Sequence, residues 1–192
     1  MDNLHVLFPT LVYEKTIDED YSYIEKKLKT KQFDTCKQWR CNMKTSIDNW
    51  NLIEDEMFAP LLEKIKKEES QFSETFGAYG NARAVDGWIN ISAPGSYQEY
   101  HIHTDCHFSV SYYIKSKPDS GNIVFRSHEC NSDMFTLPLR EFKPASYKTW
   151  ASAPTPGKLL IFRSNLQHMV EQNRSNEDRI SLSANFVIDE EK

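Results

Sequence analysis

A chain of 192 residues, 39% hydrophobic and 27% charged, suits one ordinary domain that buries roughly 70% of its unfolded surface without covalent staples. Its 23 Lys and Arg against 28 Asp and Glu leave a net charge of −5, which excludes the broad basic footprint of a nucleic-acid binder. Cys36, Cys41, Cys106 and Cys130 form no CxxC pair and no zinc-knuckle spacing, which predicts reduced thiols. The start, MDNLHVLFPTLVYEKTIDED, has no basic segment leading into a long apolar one, and no run of about 18 apolar residues follows. A soluble, cytoplasmic protein without a membrane span is expected.

Phe8 to Ile17 reads as an opening strand that Pro9 confines to an edge. Asp18 then N-caps an amphipathic helix to about Lys29, with Tyr21, Ile24 and Leu28 on one stripe. The lysines from Lys26 to Lys37 read as a solvated surface. Between Gln38 and Asn51 the pattern supports a loop with a short strand. A longer helical region follows from about Leu52 to Phe76, its apolar stripe made by Met57, Leu61, Leu62, Ile65 and Phe72; Pro60 is placed to kink or split it, and Gly77 and Gly80 end it.

From Ala82 onward the period changes to short extended runs: VDGWINIS, YQEYHIH, HFSVSYYIK, NIVFRS, KLLIFRS and RISLSANFVI, separated by turn residues. Such a series predicts an antiparallel sandwich or jelly roll, with the two helices covering an outer face. One domain spanning 1–192 is expected, with helical support over 1–80 and a β core over 82–188. The segment from His128 to Tyr147 reads as an excursion that lies over the pocket.

Three groups of residues carry chemistry. In WINISAPGSYQEYHIHTDCHFSVSYYI, His101, His103, Asp105 and His107 occupy alternate positions, so a regular strand would point all four the same way. Same-face neighbours lie roughly 6.6 Å apart, so one ion can join His101 with His103, or His103 with Asp105. His168, at the end of the KLLIFRS strand and its turn, can complete a three-residue facial site with open positions. Arg179 and Ser181 share a face in DRISLSANF, suited to gripping one carboxylate. His5 and His128 have no supporting context, and His107 sits too far along.

From about Trp88 to Ile188 these residues resemble the 2-oxoglutarate/Fe(II)-dependent oxygenase superfamily, whose fold is a double-stranded β-helix. More narrowly, HIHTDCHFSVSYYI and the opening FPTLVY are similar to a mostly phage and bacterial branch that carries HxH before a YY strand. The resemblance implies an enzyme using Fe(II), 2-oxoglutarate and O2, releasing succinate and CO2 as it hydroxylates a C–H bond. It implies metal ligation by His101, His103 and His168, with Arg179 and Ser181 on the distal carboxylate of 2-oxoglutarate.

Asn90, 11 residues before His101, matches the Asn that contacts 2-oxoglutarate in relatives and favours His101 as the first ligand. Asp105 remains the competing ligand, because reading His103 first restores an HxD pair. Tyr112 or Tyr113 is implied as a further 2-oxoglutarate contact. A peptidyl, notably prolyl, or small-molecule substrate is expected, nucleic acid is disfavoured, and a phage-encoded chain would work in its host's cytoplasm. The alternatives are a cupin-type metalloenzyme without 2-oxoglutarate and a non-catalytic jelly roll.

Overall fold

Alternation along the strands sets the architecture. In the computed structural model, which describes residues 5–36, 42–128 and 138–190, the strands form two antiparallel sheets in a double-stranded β-helix. The large sheet runs β1 (Val12–Thr16), β9 (Lys158–Arg163), β6 (Phe108–Lys115), β11 (Arg179–Asp189), β4 (Asn81–Ser92), β3 (Lys44–Thr45), β2 (Asp34–Thr35). The small one runs β5 (Gln98–His101), β10 (His168–Val170), β7 (Ile123–Arg126), β8 (Thr149–Ser152).

Odd and even positions of the central strands face different partners. Phe108, Val110 and Tyr112 of β6, with Leu182, Ala184 and Phe186 of β11, join the core beneath helices α1 (Ser22–Leu28) and α2 (Ala59–Glu74). The intervening residues, among them Tyr113, Arg179 and Ser181, look into the space between the sheets. A smaller apolar cluster of Ile123, Phe125, Leu160, Phe162 and Leu166 closes one side of that space.

Both helices cover the large sheet as the amphipathic patterns require. Ile24, Leu28, Leu61, Ile65 and Phe72 are buried against it. Glu68 of α2 ties the helix to the edge strand β1, accepting from Tyr13 Oη at 2.7 Å and Lys15 Nζ at 2.7 Å. Of the two expectations for Pro60, the kink is corrected: the proline stands in the first turn of α2, where a missing N–H costs no intrahelical bond, and the helical region is split just ahead of it. The residues before it form two 3-10 turns, Leu52–Glu54 and Glu56–Phe58, N-capped by Asn51 and Asp55.

The N-terminal part is also more than helical support, since β1, β2 and β3 extend the large sheet. Pro9 precedes β1, which is an edge strand as expected. Cys36 and Cys106 are free thiols, while Cys41 and Cys130 lie outside the described residues. Residues 129–137, the centre of the expected excursion over the pocket, also lie outside them. Among the described residues no helix is long and apolar enough to cross a membrane.

Candidate metal centre

The strand carrying the histidine series does not stay regular. β5 ends at His101, and residues 102 to 107 form a bent connection to β6 in which Asp105 adopts φ 61°. The backbone N–H of His103 leaves the small sheet and donates to the Ser164 carbonyl at 2.9 Å. His103 therefore swings back beside His101, while Asp105 turns outward and is exposed. Of the overlapping pairs, the fold brings together His101 and His103. The reason is the bend, which breaks the alternation that made Asp105 eligible.

His168 arrives from β10, directly opposite His101 in the ladder. One ligating nitrogen from each of His101, His103 and His168 lies within 4.8 Å of the others. Each ring has its Nδ1 engaged: His101 with the Glu99 carbonyl at 2.8 Å, His168 with the Leu166 carbonyl at 2.9 Å, and His103 with Asn185 Oδ1 at 2.6 Å. Carbonyl oxygens only accept, so Nδ1 carries the proton in every case and the Nε2 lone pairs are left for a metal. Gln98 Nε2 lies 3.4 Å from His101 Nε2, within reach of that lone pair until a metal takes it.

Burial keeps these rings neutral. Desolvation is the largest cause in all three, pushing His101 down to about 4, His103 below the usual imidazole range and His168 well below it. Phe162 packs edge-on against His168 at 4.8 Å between centroids, and Trp88 lies 5.5 Å from the His103 ring. Neutral, convergent imidazoles in apolar packing are the donor set a divalent transition metal needs.

Arg179 lies on the same pocket wall, 2% exposed. Its Nη1 donates to the carbonyls of Ser120 at 2.6 Å and Gly121 at 2.9 Å, and its Nη2 donates to Ser92 Oγ at 3.0 Å. Gly121 earns its place here: at φ 88° a Cβ would fall 2.3 Å from the Glu171 carbonyl oxygen. Burial pulls the guanidinium below its usual range, and among the described residues no carboxylate pairs with it. Three of its five N–H groups are thus used, leaving the Nε–H and one Nη2–H, which form one side of the guanidinium fork.

Ser181, Asn90 and Tyr113 line the same pocket. Asn90 Nδ2 donates to Ser183 Oγ at 3.2 Å, while its buried Oδ1 has no partner among the described residues. Tyr112 is corrected: it points the other way, edge-on to Tyr21 at 6.2 Å in the core beneath the helices, because adjacent strand residues alternate. His107 serves the backbone, its Nδ1 accepting from the Ile188 N–H at 2.9 Å. His5 and His128 are exposed. Sequence reasoning missed Trp88, Gln98 and Asn185, whose polar or aromatic character on inward strand positions was the available signal.

The family described as "Putative 2OG-Fe(II) oxygenase" matches residues 86–185, more than half of the chain. No curated protein sequence matches. Among solved structures, a Pseudomonas putida prolyl-4-hydroxylase is similar at TM-score 0.65 and 12% identity, with 94% of each chain covered. HygX from Streptomyces hygroscopicus, with nickel and 2-oxoglutarate bound, gives TM-score 0.60 at 9% identity, covering 93% of this chain and 83% of that one. The 2-oxoglutarate complex of the collagen prolyl hydroxylase of Paramecium Bursaria Chlorella virus-1 gives 0.55 at 15%, covering 91% and 95%. At these identities the structures speak for the fold. The family match speaks for the chemistry, and against both the cupin and the non-catalytic alternatives. The chain belongs to the 2OG-Fe(II) oxygenase family, as an enzyme that works with Fe(II), 2-oxoglutarate and O2.

Proposed function

We propose that the protein is a hydroxylase acting on a C–H bond of a peptidyl substrate, prolyl in the first instance, with a small molecule as the second class. The observation that carries the reading is the buried Arg179 fork, open toward the same pocket that holds three neutral, convergent imidazoles. A metal-only enzyme would leave that guanidinium buried without an anion, an expensive arrangement. A dicarboxylic cosubstrate answers it.

In this reading His101, His103 and His168 hold the metal through Nε2, and their Nδ1 hydrogen bonds fix each ring's tautomer and angle. Arg179 takes the distal carboxylate of 2-oxoglutarate in bidentate fashion and Ser181 adds a hydroxyl from the same face. The free Oδ1 of Asn90 and the phenol of Tyr113 line the path between carboxylate and metal. Phe162 and Trp88 keep bulk water from the imidazoles. Bound there, Fe(II) with O2 supplies the oxidative chemistry that turns 2-oxoglutarate into succinate and CO2 while oxygen enters the substrate. Peptidyl substrates come first because two similar folds are named as prolyl hydroxylases; the HygX complex with hygromycin B keeps small molecules second.

Anaerobic titration with Fe(II) and then 2-oxoglutarate tests the cofactor assignment through the visible metal-to-ligand charge-transfer band. The band should grow to one equivalent of each, and its absence in the wild type overturns the ligand reading. Proline-containing peptides should then stimulate succinate release and gain one oxygen atom by mass spectrometry. Stimulation by small molecules alone would move the assignment to the second class.

A further inference from the structure

Resting on the reading of His101, His103 and His168 as the metal ligands, a second feature concerns how His103 is held. The rings of His101 and His168 each donate to a neutral backbone carbonyl. His103 differs. Its Nδ1–H meets Asn185 Oδ1 at 2.6 Å, the shortest of the three contacts, and Ser109 Oγ fixes that acceptor by donating to it at 2.8 Å. With the amide oxygen so committed, the amide nitrogen is turned toward the carboxylate of Asp86, its neighbour directly across the ladder, and that contact favours the ionised carboxyl.

The strands arrange this meeting. Asp86 of β4 and Asn185 of β11 stand directly opposite each other, and the register shifts immediately after, between Asn185 and Phe186. The extra residue is Val85 of β4, since Asn185 faces Asp86 and Phe186 faces Ala84, so β11 itself keeps its alternation through this point. Phe186 returns to the core beneath the helices while Asn185 reaches His103.

We propose that Asp86 is the remote carboxylate of this metal centre, acting on His103 through Asn185. An all-imidazole set brings no negative charge to the metal, whereas the usual facial site includes one carboxylate. His103 stands where the HxD pattern has its acid, and it is the ligand whose Nδ1–H leads to a carboxylate. Asp86 strengthens the Nδ1–H donation, raises electron density at Nε2 and so tightens the metal. Asp86 is a positioning residue: it touches neither metal nor cosubstrate. Its side chain reaches solvent at the outer end of this arrangement; desolvation on the pocket side raises its carboxyl above the usual range, and the contacts with Asn185 and the nearby His103 oppose that rise.

The test compares Asp86→Asn, which keeps the shape and removes the charge, with Asp86→Glu, which keeps the charge. Anaerobic titration with Fe(II) gives the affinity, voltammetry of the iron-loaded protein gives the Fe(III)/Fe(II) potential, and thermal unfolding of the metal-free protein controls for folding. Asp86→Asn should bind Fe(II) about ten-fold more weakly and shift the potential positive, with unchanged metal-free melting, and Asp86→Glu should recover both. Wild-type affinity and potential in Asp86→Asn overturn the proposal. So does weaker binding in both variants with no change in potential, which would mark a purely structural role. A wild type that binds no Fe(II) removes the three-histidine reading itself, and this inference with it.

Discussion

β11 has two faces that obey opposite rules. On one, Leu182, Ala184 and Phe186 are 0%, 0% and 1% exposed and meet only apolar neighbours, so their contribution is packing. On the other, Arg179, Ser181 and Asn185 are nearly as buried yet polar, and their atoms are bonded to groups that serve the pocket. The two faces differ in what a buried polar group is given. Arg179 receives three acceptors and keeps two donors open. On the helix side, the fully buried Glu69 of α2 has no partner for either oxygen among the described residues. A strand can therefore carry stability and chemistry one residue apart, provided that changes on one face leave the other alone.

The sharpest way to break that division is to mutate both faces of one strand. Phe186→Ala should cost about 3–5 kcal/mol in urea unfolding, while Fe(II) affinity of the folded fraction stays as in the wild type. Arg179→Ala should do the reverse. Loss of a buried, charge-assisted grip of about 2 kcal/mol or more weakens 2-oxoglutarate about thirty-fold or more, with Fe(II) binding little changed. Equal weakening of both ligands in Arg179→Ala would contradict its assigned role, and Arg179→Lys should not restore the bidentate grip.

The two faces also respond to pH with opposite sign. In the metal-free protein the folded His101 titrates near 4 against an ordinary 6.5, with His103 and His168 depressed as well, so acid protonates the unfolded chain first. The pocket face thus loses stability as pH falls from 6.5 toward about 4. Burial pushes Glu69 from 4.5 up to about 7, so the unfolded carboxyl ionises first, and the helix face loses stability as pH rises across that window. Glu69→Gln should match the wild type near pH 4.5 and exceed it above pH 7 by up to about 3 kcal/mol. A difference that does not grow with pH would mean the carboxyl has found a partner.

The sequence made some of this legible and hid the rest for physical reasons. Period-two alternation is a local property, so the strands, the shared face of Arg179 and Ser181, and the rule that one of Tyr112 and Tyr113 faces inward were within reach, while which of the two does so was not. The edge position of β1 agrees with the reading of Pro9, although Pro9 stands three residues ahead of the strand and takes no part in its ladder. Register is not local. Nothing near Asn185 announces that Asp86 lies opposite it, or that a shift follows at once. Pro60 reads as a kink or a split because a proline inside an apolar stripe looks the same whether the helix starts there or earlier; the region is divided just before it. The bend after His101 was hidden for the same kind of reason, since it contains neither Gly nor Pro and Asp105 itself takes the left-handed conformation.

The smallest expected effect therefore decides the oldest ambiguity. Asp105 satisfies the usual ligand chemistry, a carboxylate for Fe(II), and its sequence spacing from His103 is that of an HxD pair. Against this stand its exposure and its φ of 61°, both products of the bend that turns His103 inward. To ligate, Asp105 would have to reverse the bend and take His103 out of contact with Asn185. Asp105→Ala should thus leave Fe(II) affinity within about two-fold of wild type, where His101→Ala abolishes binding. Asp105→Gly should even stabilise the metal-free protein slightly, by a few tenths of a kcal/mol or about that order, because glycine takes positive φ without strain. A ten-fold loss in Asp105→Ala alongside a tolerated His101→Ala would instead mean that metal binding rebuilds the loop around an acid.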